Sequence, residues 1–507
     1  MDSVDSVCTQ LRRAVDECSS RGLVFAAKWA AEQLCSLPNV PTTPLPWDPE
    51  DEQSRNQISL AKCLFDLREF DRASHCLREC HGPRATFLRL YSRYLNLERQ
   101  KSPDLTGIRD ELLATEDGFC LYLLSLVQHR LGQRDEARDS CVKSLHKFEY
   151  NWSAWLHLEA LDAQDSMLPN GWMRHAHMAH LLLETFTSTS AEDFAVHLRI
   201  LEQMFPQSHF VLGLRAVRHY NAREFEEASR LFAHLQTIDP YQLDLCDIHS
   251  NILFVMGDRG RLGELAHKCS QLDRFRPETC CVIGNYYSLR REHEKAIGYF
   301  QRAVQLDPKY LAAWTLVGHE FIELKNTAAA IDAYRHAVDI DQRDYRAWYG
   351  LGKTYELLNM PHYAVSYYTR AAVLRPYDSR MWCALANCHE LSSQPEKAIT
   401  CYRQALLGSA ENEAQAVSRL ARLHEDMGDR TRAAYYHQLV FEHYAKNTTE
   451  AGEQDDLAAA CLFLAAFEHE RGNTVVARKY LAQVVGAGGV SQQRVDEAKA
   501  VLRAMAR

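Results

Sequence analysis

A period of 34 residues governs the middle of this 507-residue chain. Four consecutive blocks starting at Pro277 align Cys280, Trp314, Trp348 and Trp382 in one column and Ile283, Val317, Leu351 and Leu385 in the next. Gly284, Gly318, Gly352 and Ala386 follow, then Tyr287, Phe321, Tyr355 and His389. The second half of each block adds Ala296, Ala330, Ala364 and Ala398, then Phe300, Tyr334, Tyr368 and Tyr402, then Ala303, Ala337, Ala371 and Ala405. Counted within a block these columns fall at positions 4, 7, 8 and 11, and again at 20, 24 and 27. Both sets have the spacing of one helix face. Two short amphipathic helices per block cannot bury their apolar faces alone, so each pair must stack on its neighbours.

Small residues at positions 8, 20 and 27 let paired helices approach closely, and the aromatic residues at 4, 11 and 24 fill the space beside them. Pro308 and Pro376, at position 32, end the second helix, because proline lacks the amide donor and clashes with the preceding turn. W-x2-L-G-x2-Y, then A-x3-F, then P is the tetratricopeptide pattern. It predicts an all-α fold, a tetratricopeptide-repeat superhelical solenoid of antiparallel helix pairs. Extended backward, the frame puts Pro240 and Pro206 in the proline column, with Ala228 and Phe232 in the second-helix columns. The block from 243 is degenerate but keeps Gly257 ahead of its second helix, as Gly132, Gly428 and Gly472 stand ahead of Ala137, Ala433 and Ala477. A short link between helices often needs the positive φ that glycine adopts freely.

The divisions expected are an N-terminal helical segment over 1–36, a proline-rich loop over 37–56, degenerate repeats over 57–276, four regular repeats over 277–410 and further repeat-like helices over 411–507. The loop is read from Pro38, Pro41, Pro44, Pro46 and Pro49, a third of the chain's 15 prolines. Polar breaks are expected near 98–106 and 445–455, in one solenoid running end to end. With 58 Lys+Arg against 67 Asp+Glu, the net charge of −9 argues against a chain built to hold nucleic-acid backbones. No apolar run approaches the roughly 18 residues of a membrane span. The 16 cysteines are scattered singly and the start, MDSVDSVCTQ, lacks a signal-peptide layout. A reducing compartment is the expectation.

Constellations that could carry chemistry have plainer readings. Gly350, Gly352, Lys353 and Thr354 imitate a phosphate loop, but the first glycine of that motif would fall at Ala347 and no strand precedes it. His175, His177 and His180 cluster locally, yet only His177 and His180 share a helix face, too few ligands for a closed zinc site. Cys76 and Cys80 stand one turn apart beside His81, and Cys280 adjoins Cys281; both pairs read as small buried hydrophobes. The expectation is no metal, no cofactor and no catalytic residue.

What remains is surface. In stacked pairs the first helices line the concave wall, so positions 2, 5, 9 and 12 face a groove. They are Glu278, Cys281, Asn285 and Ser288, then Ala312, Thr315, His319 and Ile322, then Arg346, Tyr349, Lys353 and Glu356, then Arg380, Cys383, Asn387 and Glu390. This mixed, hydrogen-bonding lining suits an extended peptide. Asn285, His319, Tyr349, Glu356, Asn387 and Glu390 are the candidate ligand-binding residues, because they offer acceptors or an aromatic plane. The net charge of −9 suggests long-range attraction for a basic peptide.

RPETCCVIGNYYSLRREHEKAIGYFQRAVQLDP, AAWTLVGHEF and RDYRAWYGLGKTYELLNMPHYAVSYYTRA, within residues 277–391, go beyond a generic repeat, and AAKWAAEQL opens the chain in a matching way. These segments resemble the tetratricopeptide scaffold subunit-eight family of the anaphase-promoting complex, the cyclosome. The resemblance implies a nuclear and cytoplasmic cell-cycle scaffold of a multi-subunit ubiquitin ligase that does not itself transfer ubiquitin. It implies a homodimer formed through N-terminal repeats, partner scaffold subunits, small accessory subunits on the outside, and a coactivator whose short arginine- and aromatic-containing motif enters the C-terminal groove. For the dimer, Phe25 and Trp29 are the candidate contacts; packing of the same side chains on the next helix pair is the equal alternative. Another peptide-binding adaptor, in chaperone, transport or RNA-processing complexes, is the competing reading. A chaperone-type carboxylate clamp would need basic residues at positions 5 and 9, where only Lys353 fits.

Overall fold

Every block from 277 begins a helix at position 1 and a second at position 17. The pairs are Pro277–Leu289 with His293–Leu306, Leu311–Glu323 with Thr327–Ile340, Tyr345–Leu357 with Pro361–Leu374, and Ser379–Leu391 with Pro395–Ala405. The computed structural model describes residues 4–37, 49–100, 104–161, 167–183, 188–408, 413–444, 451–486 and 492–504, and among these the regular structure is helical, with no strand. The four prolines from Pro38 to Pro46 lie outside the described residues, while Pro49 opens a short helix, Pro49–Gln53. The chain forms two compact units, Met1–Gln242 and Leu243–Arg507, divided where the 34-residue frame starts its degenerate block. No helix among the described residues is long and apolar enough to cross a membrane.

In the C-terminal unit the columns act as the pattern predicts. Ala296, Phe300 and Ala303 are buried, as are their counterparts Ala330, Tyr334 and Ala337 and then Ala364, Tyr368 and Ala371. Glycine at position 8 exists for the ring at position 24: a Cβ on Gly318 would stand 2.6 Å from Tyr334, and one on Gly352 2.6 Å from Tyr368. The position-4 tryptophans close the seam between successive pairs. Trp314 Nε1 donates to the Pro308 carbonyl at 3.1 Å, Trp348 to Gln342 at 2.8 Å and Trp382 to Pro376 at 2.8 Å. Trp155, in the N-terminal unit, repeats the bond to the Glu149 carbonyl at 2.6 Å.

The turn inside each pair is a left-handed cap. Gly257, Gly428 and Gly472 adopt positive φ as expected, but the regular repeats use Arg291, Lys325, Asn359 and Ser393, with φ of 62°, 59°, 55° and 56°. The reason is a Schellman closure that fixes the conformation whatever the side chain. Asn326 N–H, for example, bonds to the Phe321 carbonyl at 2.8 Å, and Lys325 N–H to that of Ile322 at 2.9 Å. A side chain in this region costs about 1–2 kcal/mol. Lys325 is exposed, so Lys325→Gly should raise stability by about 0.5–1 kcal/mol, read as a higher urea midpoint at unchanged slope. A lowered midpoint would show that Lys325 contributes a contact that outweighs its strain.

The N-terminal unit opens with the pair Val4–Ser20 and Val24–Cys35, joined through Gly22 at φ 77°. The second helix of that pair packs on helices far along the chain, Trp152–Glu159 and His209–Asn221. Trp29 lies parallel to Trp152 (centroids 4.5 Å) and Trp172 (5.9 Å), with Phe210 edge-on at 5.4 Å. Gln33, buried beside them, accepts from Ser208 Oγ at 2.6 Å. Arg84 reaches back to Asp16 at 2.7 Å and Glu17 at 2.9 Å; those two carboxylates hold its charge while burial opposes it.

Candidate functional site

The side chains nominated for the groove sit on the first helices of the regular repeats, and the column of rings at position 24 fixes several of them from behind. Tyr334 is buried, and its hydroxyl meets His319 Nδ1 at 2.8 Å. Tyr368 is buried against Gly352 and donates to Glu356 Oε2 at 2.8 Å. Burial, with the Glu356 carboxylate beside it, raises the Tyr368 phenol well above its ordinary pKa, so it stays a donor. Burial and Glu390 do the same to Tyr402. Phe300 has no hydroxyl to offer, and in its repeat the wall is organised differently.

There Asn285 is buried, and its Nδ2 donates to Ser250 Oγ at 2.8 Å and Asn251 Oδ1 at 2.7 Å. Cys281 and Ser288 are buried too, because the helix Cys246–Val255 covers the first helix Pro277–Leu289, and Thr315 is buried on the next first helix, Leu311–Glu323. Asn285 therefore joins repeats and does not line an open surface, a correction to its nomination. Glu320, at position 10 and outside the expected lining, is buried and accepts from Ser288 Oγ at 2.6 Å, while its other oxygen faces His293 Nδ1 at 2.7 Å.

The remaining candidates form two groups. His319 keeps solvent-exposed surface, yet the protein packed around its imidazole desolvates it and lowers its pKa to about 4. Around the third and fourth repeats, Glu356 accepts from Tyr368, from Asn387 Nδ2 at 2.9 Å and from Lys353 Nζ at 3.2 Å. Glu356 and Asn387 are thus brought together, as hydrogen-bond partners of each other. Tyr349 is half-buried with its ring 5.4 Å from that of Tyr368; burial raises its pKa against the opposing pull of Lys353 and Arg380. Glu390 faces Arg419 of the helix Glu413–Asp426 at 3.7 Å. Asp344 and Asp378 each cap a first helix, accepting from the backbone N–H of Arg346 and Arg380 and from the Nε of the same arginine at 3.0 Å.

Arg346, Lys353 and Arg380, which the positions place in the lining, keep partly exposed side chains paired with Asp344, Glu356 and Asp378. The sequence signal for the two arginine pairs is the Asp-x-Arg at the head of their helices, which pins an arginine at position 2. The two dimer candidates also part company. Phe25 is 58% exposed and Val24 is exposed beside it, whereas Trp29 is 5% exposed and committed to its own unit.

The other clusters are structural in their surroundings. Gly350, Gly352, Lys353 and Thr354 lie inside the helix Tyr345–Leu357. His177 is buried, and both it and His180 face Glu159, at 3.6 Å and 2.9 Å. His175 Nδ1 stands 2.7 Å from His197 Nδ1. Among the described residues no group of three or more His, Cys, Asp or Glu is placed to hold a metal ion. None of the 16 cysteines, all of them among the described residues, forms a disulfide.

Comparison with known proteins adds a second line of observation. Residues 6–117 and 104–216 match the family described as "Anaphase promoting complex subunit 8 / Cdc23". Residues 277–310, 311–344 and 379–407 match the tetratricopeptide repeat, in the frame read from the columns. Anaphase-promoting complex subunit 8 of Arabidopsis thaliana is 35% identical over 392 residues, covering 64% of this chain and 67% of that one. Subunit 8 of Dictyostelium discoideum is 34% identical, with 63% and 68% covered. Subunit CDC23 of Saccharomyces cerevisiae is 30% identical, with 64% and 70% covered. A solved structure described as the "APC/C hetero-tetramer Cut9-Hcn1" superposes with a TM-score of 0.58 over 96% of this chain and 95% of that one, at 16% identity, a likeness of fold.

Proposed function

Since the chain belongs to the subunit 8/Cdc23 family of the anaphase-promoting complex, we propose that it is a non-catalytic scaffold of that ubiquitin ligase, assembled with the complex's other repeat subunits. Kinship at 30–35% identity over about two thirds of each relative's length carries this reading. The built wall of first helices supports it, since Tyr368, Glu356 and Asn387 lock one another into a surface that needs no ligand to form. In this role the chain homodimerises through its N-terminal unit, with the exposed Val24 and Phe25 as contact residues. Small accessory subunits brace its outside. A coactivator's short motif, with an arginine and an aromatic residue, enters the C-terminal groove beside Tyr349, His319 and Glu390. The protein works in nucleus and cytoplasm, where it helps time ubiquitylation to the cell cycle.

The test is affinity purification of the tagged chain from dividing cells, with co-purifying proteins identified by mass and the eluate assayed for cyclin ubiquitylation. Recovery of a large multi-subunit ligase with activity is the expected result. Recovery of chaperones or transport proteins alone would overturn the proposed role and favour an adaptor of another complex.

A further inference from the structure

The first helix pair of the C-terminal unit, Cys246–Val255 with Arg259–Leu272, carries a cysteine at each of two positions that share a core in the regular repeats. In the 34-residue frame Cys246 stands at position 4 and Cys269 at position 27. The same two positions pack together as Cys280 with Ala303, Trp348 with Ala371 and Trp382 with Ala405. The degenerate block obeys that packing. Cys246 and Cys269 are buried in one cluster with Leu253, Leu262 and Leu265, and their thiols are hydrogen-bonded to each other.

The two sulfurs are not equivalent. Burial raises the thiols of Cys141, Cys388 and Cys461 to about 12. Cys269 moves the other way, because the Cys246 S–H donates to it and Lys268 and Arg276 stand near, and together these outweigh its burial. Cys246, held as that donor in buried surroundings, is pushed up. One sulfur is thus prepared as a nucleophile and the other as the thiol that resolves its oxidised form. Cys246 is also the first residue of its helix and follows Leu245, whose φ is 64°. The helical ladder does not yet hold its backbone, so it can yield as the sulfurs pass from hydrogen-bond contact to a bond of about 2.05 Å.

We propose that Cys246 and Cys269 form an oxidisable dithiol, which hydrogen peroxide converts to a disulfide that staples this helix pair. The Cys269 thiolate attacks one peroxide oxygen. An S–O bond forms, the O–O bond breaks, and the departing hydroxide leaves as water with the proton that Cys269 gave up. The Cys246 sulfur then attacks the sulfenic sulfur. The S–S bond forms, the S–O bond breaks, and hydroxide leaves with the Cys246 proton as a second water. Two thiols lose two electrons and one peroxide gains them. The staple bears on the first regular repeat, because both helices of the pair pack on Pro277–Leu289. A small thiol reopens it by exchange. At 5% and 1% exposure the pair reacts only when the start of the helix Cys246–Val255 opens.

The test treats the reduced full chain with hydrogen peroxide, blocks the remaining thiols with iodoacetamide in denaturant and digests without reductant. The expected product is a linked peptide pair holding Cys246 and Cys269, about 2 Da lighter than the two free peptides together and returned to thiols by dithiothreitol. Because the link closes a loop of about two dozen residues, oxidation should raise the melting midpoint by about 5 °C. Cys269→Ala, which installs the residue that position 27 holds in the regular repeats, should abolish both the link and the rise. Cys246→Ala should abolish them too and leave Cys269 as a sulfenic acid that dimedone captures. The proposal is overturned if both cysteines are recovered as free thiols at a peroxide dose that fully oxidises the exposed Cys35 and Cys63. It is equally overturned if Cys269 is linked to a different cysteine, or if the linked chain melts where the reduced chain does.

Discussion

Trp29→Glu should unfold the N-terminal unit. The indole is stacked between Trp152 and Trp172 with Phe210 against its edge, so truncating it alone costs about 3–5 kcal/mol. A carboxylate in the same place adds several kcal/mol more, or takes up a proton to avoid it. That sum reaches the whole stability of an ordinary domain, about 5–15 kcal/mol. Loss of the near-ultraviolet tryptophan signal and a collapsed melting transition are the expected readouts. Phe25→Glu, at a 58% exposed position four residues away, should change stability by no more than about 0.5 kcal/mol. If a dimer forms across Phe25, this variant elutes as a folded monomer. Combining Phe25→Glu with Trp29→Glu would not separate a dimer contact from internal packing, because Trp29→Glu alone accounts for unfolding. A folded Trp29→Glu protein would mean that the four-ring stack is not formed in solution.

Tyr368→Ala carries the second large expectation. It empties a fully buried site facing Gly352 and strips a donor from Glu356. The cavity costs about 3–5 kcal/mol, and backfilling is restricted because the neighbours at positions 20 and 27, Ala364 and Ala371, are small. Tyr368→Phe isolates the hydroxyl: about 1–3 kcal/mol for a bond to a charged acceptor, with the ring packing retained. Urea unfolding of the two variants separates the contributions. A neutral Tyr368→Phe would show that Lys353 and Asn387 suffice to hold Glu356.

The fold was legible because the period is enforced by packing. Gly318 and Gly352 leave room for Tyr334 and Tyr368, so the residues that define the columns are also those that touch. The turn was half legible: glycine advertises a left-handed φ, whereas Arg291 and Lys325 adopt it because the capping bonds impose it. The site was less legible. Asn285 and His319 occupy the same position of neighbouring repeats, yet one is buried by the preceding pair and the other keeps exposed surface. That difference comes from the degenerate block, whose packing the columns do not describe. Glu356 reads in the sequence as an acceptor for a ligand, but Tyr368 on the paired second helix donates to it at 2.8 Å. Trp29 was ambiguous because its partners lie beyond residue 150, and periodicity speaks only of neighbours.

The distance in sequence between Trp29 and its companions also sets an order of events during synthesis. The first helix pair leaves the ribosome long before Trp152, Trp172 and Phe210 exist to receive it. At roughly 5–20 residues per second, the interval is on the order of ten to forty seconds. Through that time the alanine-rich helix Val24–Cys35 has its pair partner Val4–Ser20 beside it but none of the rings that cover Trp29. The growing chain must keep it in chaperone hands, or shield it loosely in its own early helices, until the last ring arrives to close the stack.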